Sequence, residues 1–442
     1  MPQPLGDTMT KTIIALLGAA LACGPADAAE ETWILRADLW GNPAFSTLRL
    51  DRQGTGATAV LDGDAGRGQW TQDRLRLDVA TARNGQDRYA VTVRGDRLEG
   101  TVETADPNDR QRRVVHPVTG WKLPPAPPAP RTLEFAPSDY SNTFDADRRP
   151  VLVIWPGDKV RTRTLDSGGV DEHGVTRALF GNPQTGPFFV AGAEPGDTLA
   201  IRLERLTLNR DYADSLDTIV GRALGSSLVA QAGELGKPVR WRLDRQRGLA
   251  RPEQAEGALA AFTVPVRPML GGLAVAPGFG MPAMSTGDTG RFGGNMDFNE
   301  VVEGNTVYLP VQQPGALLYL GDAHALQGDG ETSQYALETS MEVVFSVALI
   351  KGKALNLPRV ESPTQIMALG QAGSLDEALK AASTGLVQWL REDYGMSLSQ
   401  AAQVLGSAVR YSVPNLAGRS VGVAARVDKA LLPPPRRVLS VE

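Results

Sequence analysis

The stretch GDAHALQGDGE, Gly321–Glu331, places one His, two Asp and one Glu within eleven residues of a chain that has only three His. It continues from LPVQQPGALLYLGD, residues 309–322, whose apolar character predicts a buried strand. Side chains alternate between the two faces of a strand, so Asp322 and His324 are predicted to leave it on the same face. The chain around this stretch is therefore expected to be a β-structure with polar side chains at the end of a core strand.

The composition of the stretch indicates a cation site. A carboxylate beside an imidazole suits Zn²⁺ or a similar divalent ion. Gly328 and Gly330 allow a sharp turn, which would bring Asp329 or Glu331 back towards the strand end. The alternative is a polar β-turn whose His is held by a neighbouring carboxylate, and spacing alone leaves both interpretations open.

Two longer segments extend the pattern. They are GGNMDFNEVVEGNTVYLPVQQPGALLYLGDAHALQGDGETSQYALETSMEV, residues 293–343, and NPQTGPFFVAGAEPGDTLAIRL, residues 182–203. Both closely resemble the core of the acetamidase/formamidase family. The similarity runs from about residue 131 to the C-terminus. It implies a β-sandwich-type catalytic domain that hydrolyses a short amide, of the formamide or acetamide type, to a carboxylate and ammonia. Relatives often carry Glu where this chain has Ala191.

Several other hydrolytic routes are excluded by the sequence. Cys23 is the only cysteine, and it lies within residues 1–28, whose pattern predicts a cleaved signal peptide. A cysteine nucleophile is therefore not expected in the mature chain. There is no Gly/Ser-rich Ser-Ser-Lys region and no G-x-S-x-G elbow. Metal-assisted hydrolysis remains, in which the ion lowers the pKa of a water from 15.7 towards about 7 and polarises the carbonyl.

The sequence and the resemblance together predict the site residues. Two of them, Glu331 and Glu338, are carboxylates that could act as general base and then as acid. The predicted ligands of a divalent cation, Zn²⁺ or alternatively Ca²⁺, are Asp322, His324, Asp297 and Asp329. The predicted catalytic residues are Glu331, Glu338 and Asn295.

Composition and charge narrow the class of protein. The formal net charge is -5 and no basic run occurs, which argues against nucleic acid or a membrane surface as partner. The 48 Gly and 31 Pro favour many turns and strands, so the fold is predicted to be mainly β. The expected partner is a small-molecule amide, and a homo-oligomer is left open.

After the first 28 residues, the chain divides into three predicted parts. Residues 30–121 alternate apolar and polar side chains in short runs, which predicts a small antiparallel β-domain with His116 in a surface loop beside Pro117. KLPPAPPAP, residues 122–130, is predicted to be a polyproline linker with few contacts across it. Residues 131–442 form the predicted catalytic domain, with a helix that opens at Ser374 and a second at about residues 398–410.

The N-terminus predicts export. Lys11 precedes an apolar run, residues 13–22, and Ala26-Asp27-Ala28 is an A-x-A site, so residues 1–28 are predicted to be a signal peptide. The mature protein is expected in the periplasm or outside the cell, with a lipoprotein anchored through Cys23 as the alternative.

Two other functions are compatible with the sequence: a non-catalytic periplasmic binding protein, and a hydrolase of another C–N or ester bond.

Overall fold

The computed structural model describes residues 30–81 and 85–436. The predicted signal peptide, its cleavage before Ala29 and Cys23 lie outside the described residues. The prediction of a mainly β protein with a few C-terminal helices is confirmed. Across these two ranges, no helix is both long and apolar enough to cross a membrane.

The N-terminal domain is a closed eight-stranded barrel. Each strand pairs antiparallel with the next, and the last strand closes on the first. Burial alternates along the strands, and Leu75, Leu77 and Val79 fill the interior from one of them. The antiparallel β-domain predicted from alternation is thus confirmed. Its strands, numbered in chain order, are β1 (Glu31–Leu39), β2 (Asn42–Gln53), β3 (Gly56–Leu61), β4 (Asp64–Thr71), β5 (Arg74–Thr81), β6 (Gly85–Arg94), β7 (Arg97–Ala105) and β8 (Arg113–Lys122).

The expectation that His116 lies in a surface loop is wrong. His116 is 3% exposed and lies within β8, on the same face as Val118. Its ring packs edge-on against Trp40 with ring centroids 4.5 Å apart. Pro117 does not interrupt the strand because pairing with β1 extends only to Val118, so the missing N–H is tolerated there.

Two large sheets form the second part of the chain. The six-stranded sheet has the order β11 (Leu152–Ile154), β13 (Gln184–Val190), β24 (Leu318–His324), β19 (Met269–Ala274), β22 (Gly293–Asn295) and β21 (Thr289–Gly290). The nine-stranded sheet has the order β28 (Arg410–Ser412), β29 (Val421–Asp428), β27 (Gln365–Ala372), β26 (Arg359–Glu361), β23 (Thr306–Pro310), β14 (Thr198–Leu208), β25 (Met341–Ile350), β12 (Lys159–Arg163) and β9 (Thr132–Glu134).

Smaller elements complete the domain. A four-stranded sheet and a two-stranded sheet flank the two large ones. The remaining strands are β10 (Thr143–Phe144), β15 (Tyr212–Leu216), β16 (Pro238–Asp244), β17 (Leu249–Pro252), β18 (Val264–Pro265) and β20 (Met284–Ser285). The helices are α1 (Ser226–Val229), α2 (Leu375–Asp393) and α3 (Leu398–Ala408), with 3₁₀ turns at Ala232–Glu234, Gly257–Leu259 and Lys429–Leu431.

The main core lies between the two large sheets. Phe188 of β13 meets Phe345 of β25 edge-on, with ring centroids 5.3 Å apart. Leu273 and Leu320 from the six-stranded sheet and Leu203 from the nine-stranded sheet are fully buried in the same cluster. The sandwich therefore holds β24, the strand predicted from the apolar run, rigidly at its centre.

Helix α2 packs on the outer face of the nine-stranded sheet. Ser374 caps it by accepting a hydrogen bond from the Glu377 backbone N–H, as the sequence predicts. The helix approaches β27 closely, because a Cβ at Gly370 would lie 2.1 Å from the carbonyl oxygen of Ala378. This packing covers the outer face with a second apolar cluster around Leu386 and Trp389.

The barrel and the sandwich are in contact, contrary to the expectation of a spacer with few contacts. Arg36 of the barrel pairs with Asp147 at 2.5 Å. Trp121 packs edge-on against Phe189 with ring centroids 5.0 Å apart. Residues from both domains, including Ile34 and Phe189, share one buried apolar cluster. The gain from burying these side chains outweighs the freedom that the proline-rich segment would otherwise leave.

Candidate active site

The candidate site lies on the six-stranded sheet at the side where the strand ends of β13, β24 and β22 meet. Asp322 and His324 occupy the C-terminal end of β24, and the predicted common face is observed: Asp322 Oδ1 lies 3.6 Å from His324 Nε2. On one side, Asn182 precedes β13. On the other, Asn295 ends β22 and Asp297 follows it. The sheet thus brings together polar side chains that are far apart in sequence.

Most of the predicted residues converge here. Ligand atoms of Asp297, Asp322 and His324 lie within 4.8 Å of one another, and so do those of His324, Glu331 and Glu338. Glu338 lies just before β25 and forms an isolated bridge with His324, so that its Oε1 is 3.3 Å from His324 Nε2. The five side chains form one buried cluster centred on the imidazole.

Two predicted residues lie differently from the expectation. Asp329 is exposed and accepts a hydrogen bond from Asn299 Nδ2 at 2.8 Å, and it belongs to neither group of ligand atoms. The turn at Gly330 directs Glu331 rather than Asp329 inward. Asn295 joins the cluster through other side chains: it accepts from Asn182 Nδ2 at 2.6 Å and donates to Asp297 Oδ2 at 2.5 Å. Its contacts orient Asp297.

The imidazole of His324 is fixed by Gln327. The amide nitrogen of Gln327 donates to the carbonyl oxygens of Asp297 at 2.6 Å and Pro414 at 3.0 Å. The Gln327 Oε1 is therefore the atom that lies 3.0 Å from His324 Nδ1, and it can only accept. His324 consequently carries a proton on Nδ1 and presents Nε2 to the carboxylates. Metal-bound histidines are commonly held in this way through the other ring nitrogen.

Several buried atoms in the cluster lack a hydrogen-bond partner among the residues that the structure describes. Nearly all buried polar atoms in proteins are hydrogen-bonded, so such a group calls for an explanation. These atoms are Asp297 Oδ1, Asp322 Oδ1, His324 Nε2 and Glu338 Oε2. All of them could donate an electron pair to a cation. The residues present therefore fit a divalent cation.

The charges in the cluster support the same conclusion. Burial, followed by the charge of Asp322, raises the pKa of Asp297 well above its ordinary value. Burial and then the charge of Asp297 do the same for the pKa of Glu331. Burial alone would lower the pKa of His324, but the carboxylates of Glu338 and Asp322 raise it well above the usual range. Carboxylates gathered this closely need a positive charge between them to remain ionised together.

Gly271 provides the space for these ligands. The ladder between β19 and β24 pairs Leu270 with Ala323 and Gly272 with Gly321, so Gly271 lies opposite Asp322. A Cβ at Gly271 would lie 2.5 Å from Asp297 Oδ1 and 2.6 Å from Asp322 Oδ2. No positive φ requires glycine at this position. Glycine is needed here because any side chain would occupy the space between the carboxylates.

The backbone is strained at the same place. Positive φ values occur at Asn182 (59°), Asp297 (42°), Asp322 (55°) and Glu331 (45°). Residues other than glycine adopt such angles at a cost, and they concentrate at functional sites where the surrounding structure imposes them. Here the strain aims side-chain oxygens at one point.

Sequence reasoning missed three residues of the cluster. Asn182 donates to Asp322 Oδ2 at 3.1 Å, and Asn415 donates to Asp297 Oδ2 at 2.5 Å. Gln327 lies inside the stretch at residues 321–331, but its residue type and spacing alone do not indicate a role. The position of Asn182 at the start of a resembling segment was an available signal, whereas nothing in the sequence connects Asn415 with Asp297.

The Ala191 substitution lies away from the cluster. The site is at the start of β13, which begins at Gln184, and Ala191 follows its other end. A strand rises about 3.3 Å per residue, so the two ends of β13 are roughly 20 Å apart. The absence of Glu at this position leaves the cluster itself intact.

Comparison with known proteins gives the family. Residues 243–372 match the model of the Acetamidase/Formamidase family. An acetamidase from Yersinia enterocolitica is 29% identical with a TM-score of 0.60, and the match covers 69% of this chain and 94% of that one. The chain is similar to the acetamidase/formamidase family in both comparisons. The prediction of an enzyme that acts on C–N bonds other than peptide bonds is thereby confirmed at the level of the family.

Two further relatives agree. A predicted acetamidase/formamidase from Thermoanaerobacter tengcongensis is 25% identical with a TM-score of 0.58, covering 69% of this chain and 97% of that one. A candidate formamidase of Schizosaccharomyces pombe is 42% identical over 60 residues, which are 13% of this chain and 15% of the yeast protein. The matches cover nearly the whole length of the solved structures but only 69% of this chain. The unmatched part is consistent with an additional N-terminal barrel.

Proposed function

We propose that this protein hydrolyses a short linear amide, of the formamide or acetamide type, to a carboxylate and ammonia with the help of a divalent cation. The observation that carries the proposal is the convergence of Asp297, Asp322 and His324, each of which has an atom that could bind a metal within 4.8 Å of the others. Each also has a buried atom without a hydrogen-bond partner in the described part of the chain. These three residues would hold the cation. The imidazole favours Zn²⁺, and the surplus of carboxylate oxygens leaves Ca²⁺ as the alternative.

The bound cation would supply two things: polarisation of the amide carbonyl and a lower pKa for the attacking water. The chain's own residues prepare the site for it. Asn295 and Asn415 both donate to Asp297 Oδ2, which leaves Asp297 Oδ1 free as the ligand atom. Gln327 fixes the imidazole with Nε2 towards the carboxylates. The ligands are thus held in place before anything binds.

Glu331 is the proposed general base and acid. It is 7% exposed, against 1% for Asp297, 2% for Asp322 and 4% for Glu338, so it is the most accessible carboxylate in the cluster. Its side chain makes no hydrogen bond to other described residues, whereas Glu338 Oε1 accepts one from the Ala336 backbone N–H. The raised pKa of Glu331 suits a group that takes a proton from water and gives it to the leaving nitrogen.

The enclosure of the cluster supports a small substrate. The ligand and acid–base side chains are all at least nine-tenths buried. A substrate must therefore reach side chains that are at most 7% exposed. This favours one-carbon and two-carbon amides over bulky ones.

Ammonia release from a series of amides of increasing length tests the proposal. Turnover should be highest for formamide or acetamide and should fall with chain length. Glu331→Gln should keep the metal while the rate falls about 10²- to 10⁴-fold. Glu342→Gln, at an exposed position of β25, is the matched control and should match the wild type. Metal-loaded protein that releases no ammonia from any amide would favour the binding-protein alternative instead.

We also propose that the protein is exported. The support is the order of Lys11, the apolar run at residues 13–22 and the A-x-A site at residues 26–28. Intact-mass analysis of exported material should give an N-terminus near Ala29. A mass that retains Met9, or that carries diacylglycerol on Cys23, would contradict cleavage there.

A further inference from the structure

A cavity of about 610 Å³ lies between the barrel and the sandwich, away from the candidate active site. None of the cluster residues lines it. Its walls are apolar and come from both domains: Ile34, Leu98, Trp121, Phe189, Pro314 and Leu317. The volume is within the roughly 300–1,000 Å³ range of small-molecule sites, which occur preferentially at domain interfaces.

The polar groups around this cavity are mostly arginines. Among the residues that the structure describes, five arginines and two acidic residues line it. Both acidic residues are already paired, Asp147 with Arg36 at 2.5 Å and Glu99 with Arg94 at 3.4 Å. Arg148 pairs with Asp139, which lies outside the lining. The positive charge that remains is therefore on the other two arginines.

These two arginines, Arg97 and Arg149, are available for a ligand. The nearest carboxylate oxygen to Arg97 Nε belongs to Asp96, at 3.9 Å, which is beyond hydrogen-bond distance. Arg149 makes no ion pair or side-chain hydrogen bond with any residue in the described ranges. Arg97 begins β7 of the barrel and Arg149 belongs to the sandwich, and with Trp121 both also line an adjoining cavity of about 440 Å³ along the linker. Arg97, which has only a long ion pair with Asp96 among the described residues, and Arg149 thus lie beside the indole of Trp121, one from each domain.

We propose that this interdomain cavity binds a small organic anion with an apolar, aromatic body. The body would lie against Trp121 and Phe189, and its carboxylate or sulfonate would bind Arg97 and Arg149. Such a ligand contacts both domains at once, so its binding also stabilises their arrangement. The site is distinct in chemistry from that of a neutral short amide, because its recognition groups are cationic and its walls are aromatic.

Titration of the full chain with anilinonaphthalene sulfonate, an aromatic anion, tests this proposal by calorimetry and fluorescence. One molecule should bind per chain. The uncharged analogue phenylnaphthylamine should bind at least about tenfold more weakly, since it lacks the charge-assisted hydrogen bonds. Inorganic sulfate, which lacks the aromatic body, should not compete at equal concentration. No binding, several equivalent molecules per chain, or equal affinity for the uncharged analogue would overturn the proposal.

Variants locate the binding. Arg97→Gln with Arg149→Gln should weaken binding about tenfold or more, while Arg76→Gln, at an exposed barrel position outside the cavity, should leave it unchanged. Thr119→Trp keeps both arginines and fills the cavity, so it should also abolish binding. The melting temperature of each variant without ligand should equal that of the wild type, which shows that the fold is intact. Undiminished binding in the double variant or in Thr119→Trp would place the anion elsewhere.

Discussion

Nδ1 of His324 lies 3.0 Å from Oε1 of Gln327, and this contact decides which ring nitrogen faces the carboxylates. Gln327 cannot turn its amide around, because its nitrogen already donates to the carbonyl oxygens of Asp297 and Pro414. Nε2 of His324 is therefore the ring nitrogen that faces Asp322 and Glu338. If His324 binds the proposed cation, its tautomer is thus set by a residue that contacts only the other ring nitrogen.

Gln327→Ala should therefore weaken metal binding without unfolding the protein. The imidazole would lose its acceptor, and partners of this kind are typically worth about 10- to 100-fold in metal affinity. Competition with a chromophoric chelator measures the affinity, with Gln403→Ala on the exposed side of α3 as the control. An unchanged affinity in Gln327→Ala would mean that the tautomer is fixed in some other way.

Gly271→Ala should prevent metal binding by occupying the site. The added Cβ would lie 2.5 Å from Asp297 Oδ1, so either the carboxylates or β19 must move. Gly328→Ala is the control, since a Cβ there meets nothing within 4 Å and no positive φ constrains the residue. Metal content and ammonia release are measured for both. A fully active Gly271→Ala would refute the position assigned to the cation.

Asp322→Asn and Asp329→Asn should behave oppositely, although the sequence predicts both residues as ligands. Asp322 is 2% exposed and faces His324, so its loss should remove the metal and the activity. Asp329 is exposed and contacts Asn299, so its loss should leave both within about twofold of the wild type. Metal analysis of the two purified variants is the measurement. Loss of metal from Asp329→Asn alone would reverse the assignment.

The centre of the fold and of the site could be predicted from the sequence because both depend on local patterns. The apolar run into Asp322 predicts a buried strand, and the spacing of Asp322 and His324 predicts a common face. Both are observed in β24. Capping at Ser374 likewise depends only on residues three apart.

Contacts between residues far apart in the chain could not be predicted from the sequence. Asn415 contacts Asp297 across 118 positions, and no periodicity relates them. Asp329 and Glu331 are only two residues apart in a glycine turn, yet only Glu331 enters the site. The φ values of the turn decide this, and the sequence does not fix them. The burial of His116 escapes prediction for a related reason: the proline beside it indicates a loop unless pairing with one neighbouring strand stops at that point.

The central claim is that a divalent cation held by Asp297, Asp322 and His324 is required for amide hydrolysis. The most direct test is the rate of ammonia release from formamide and acetamide before chelation, after chelation and after Zn²⁺ is restored. The rate should be lost with the metal and recovered with it, while His324→Ala stays inactive at every stage. An unchanged rate in metal-free wild-type protein, or full activity of His324→Ala, would contradict it.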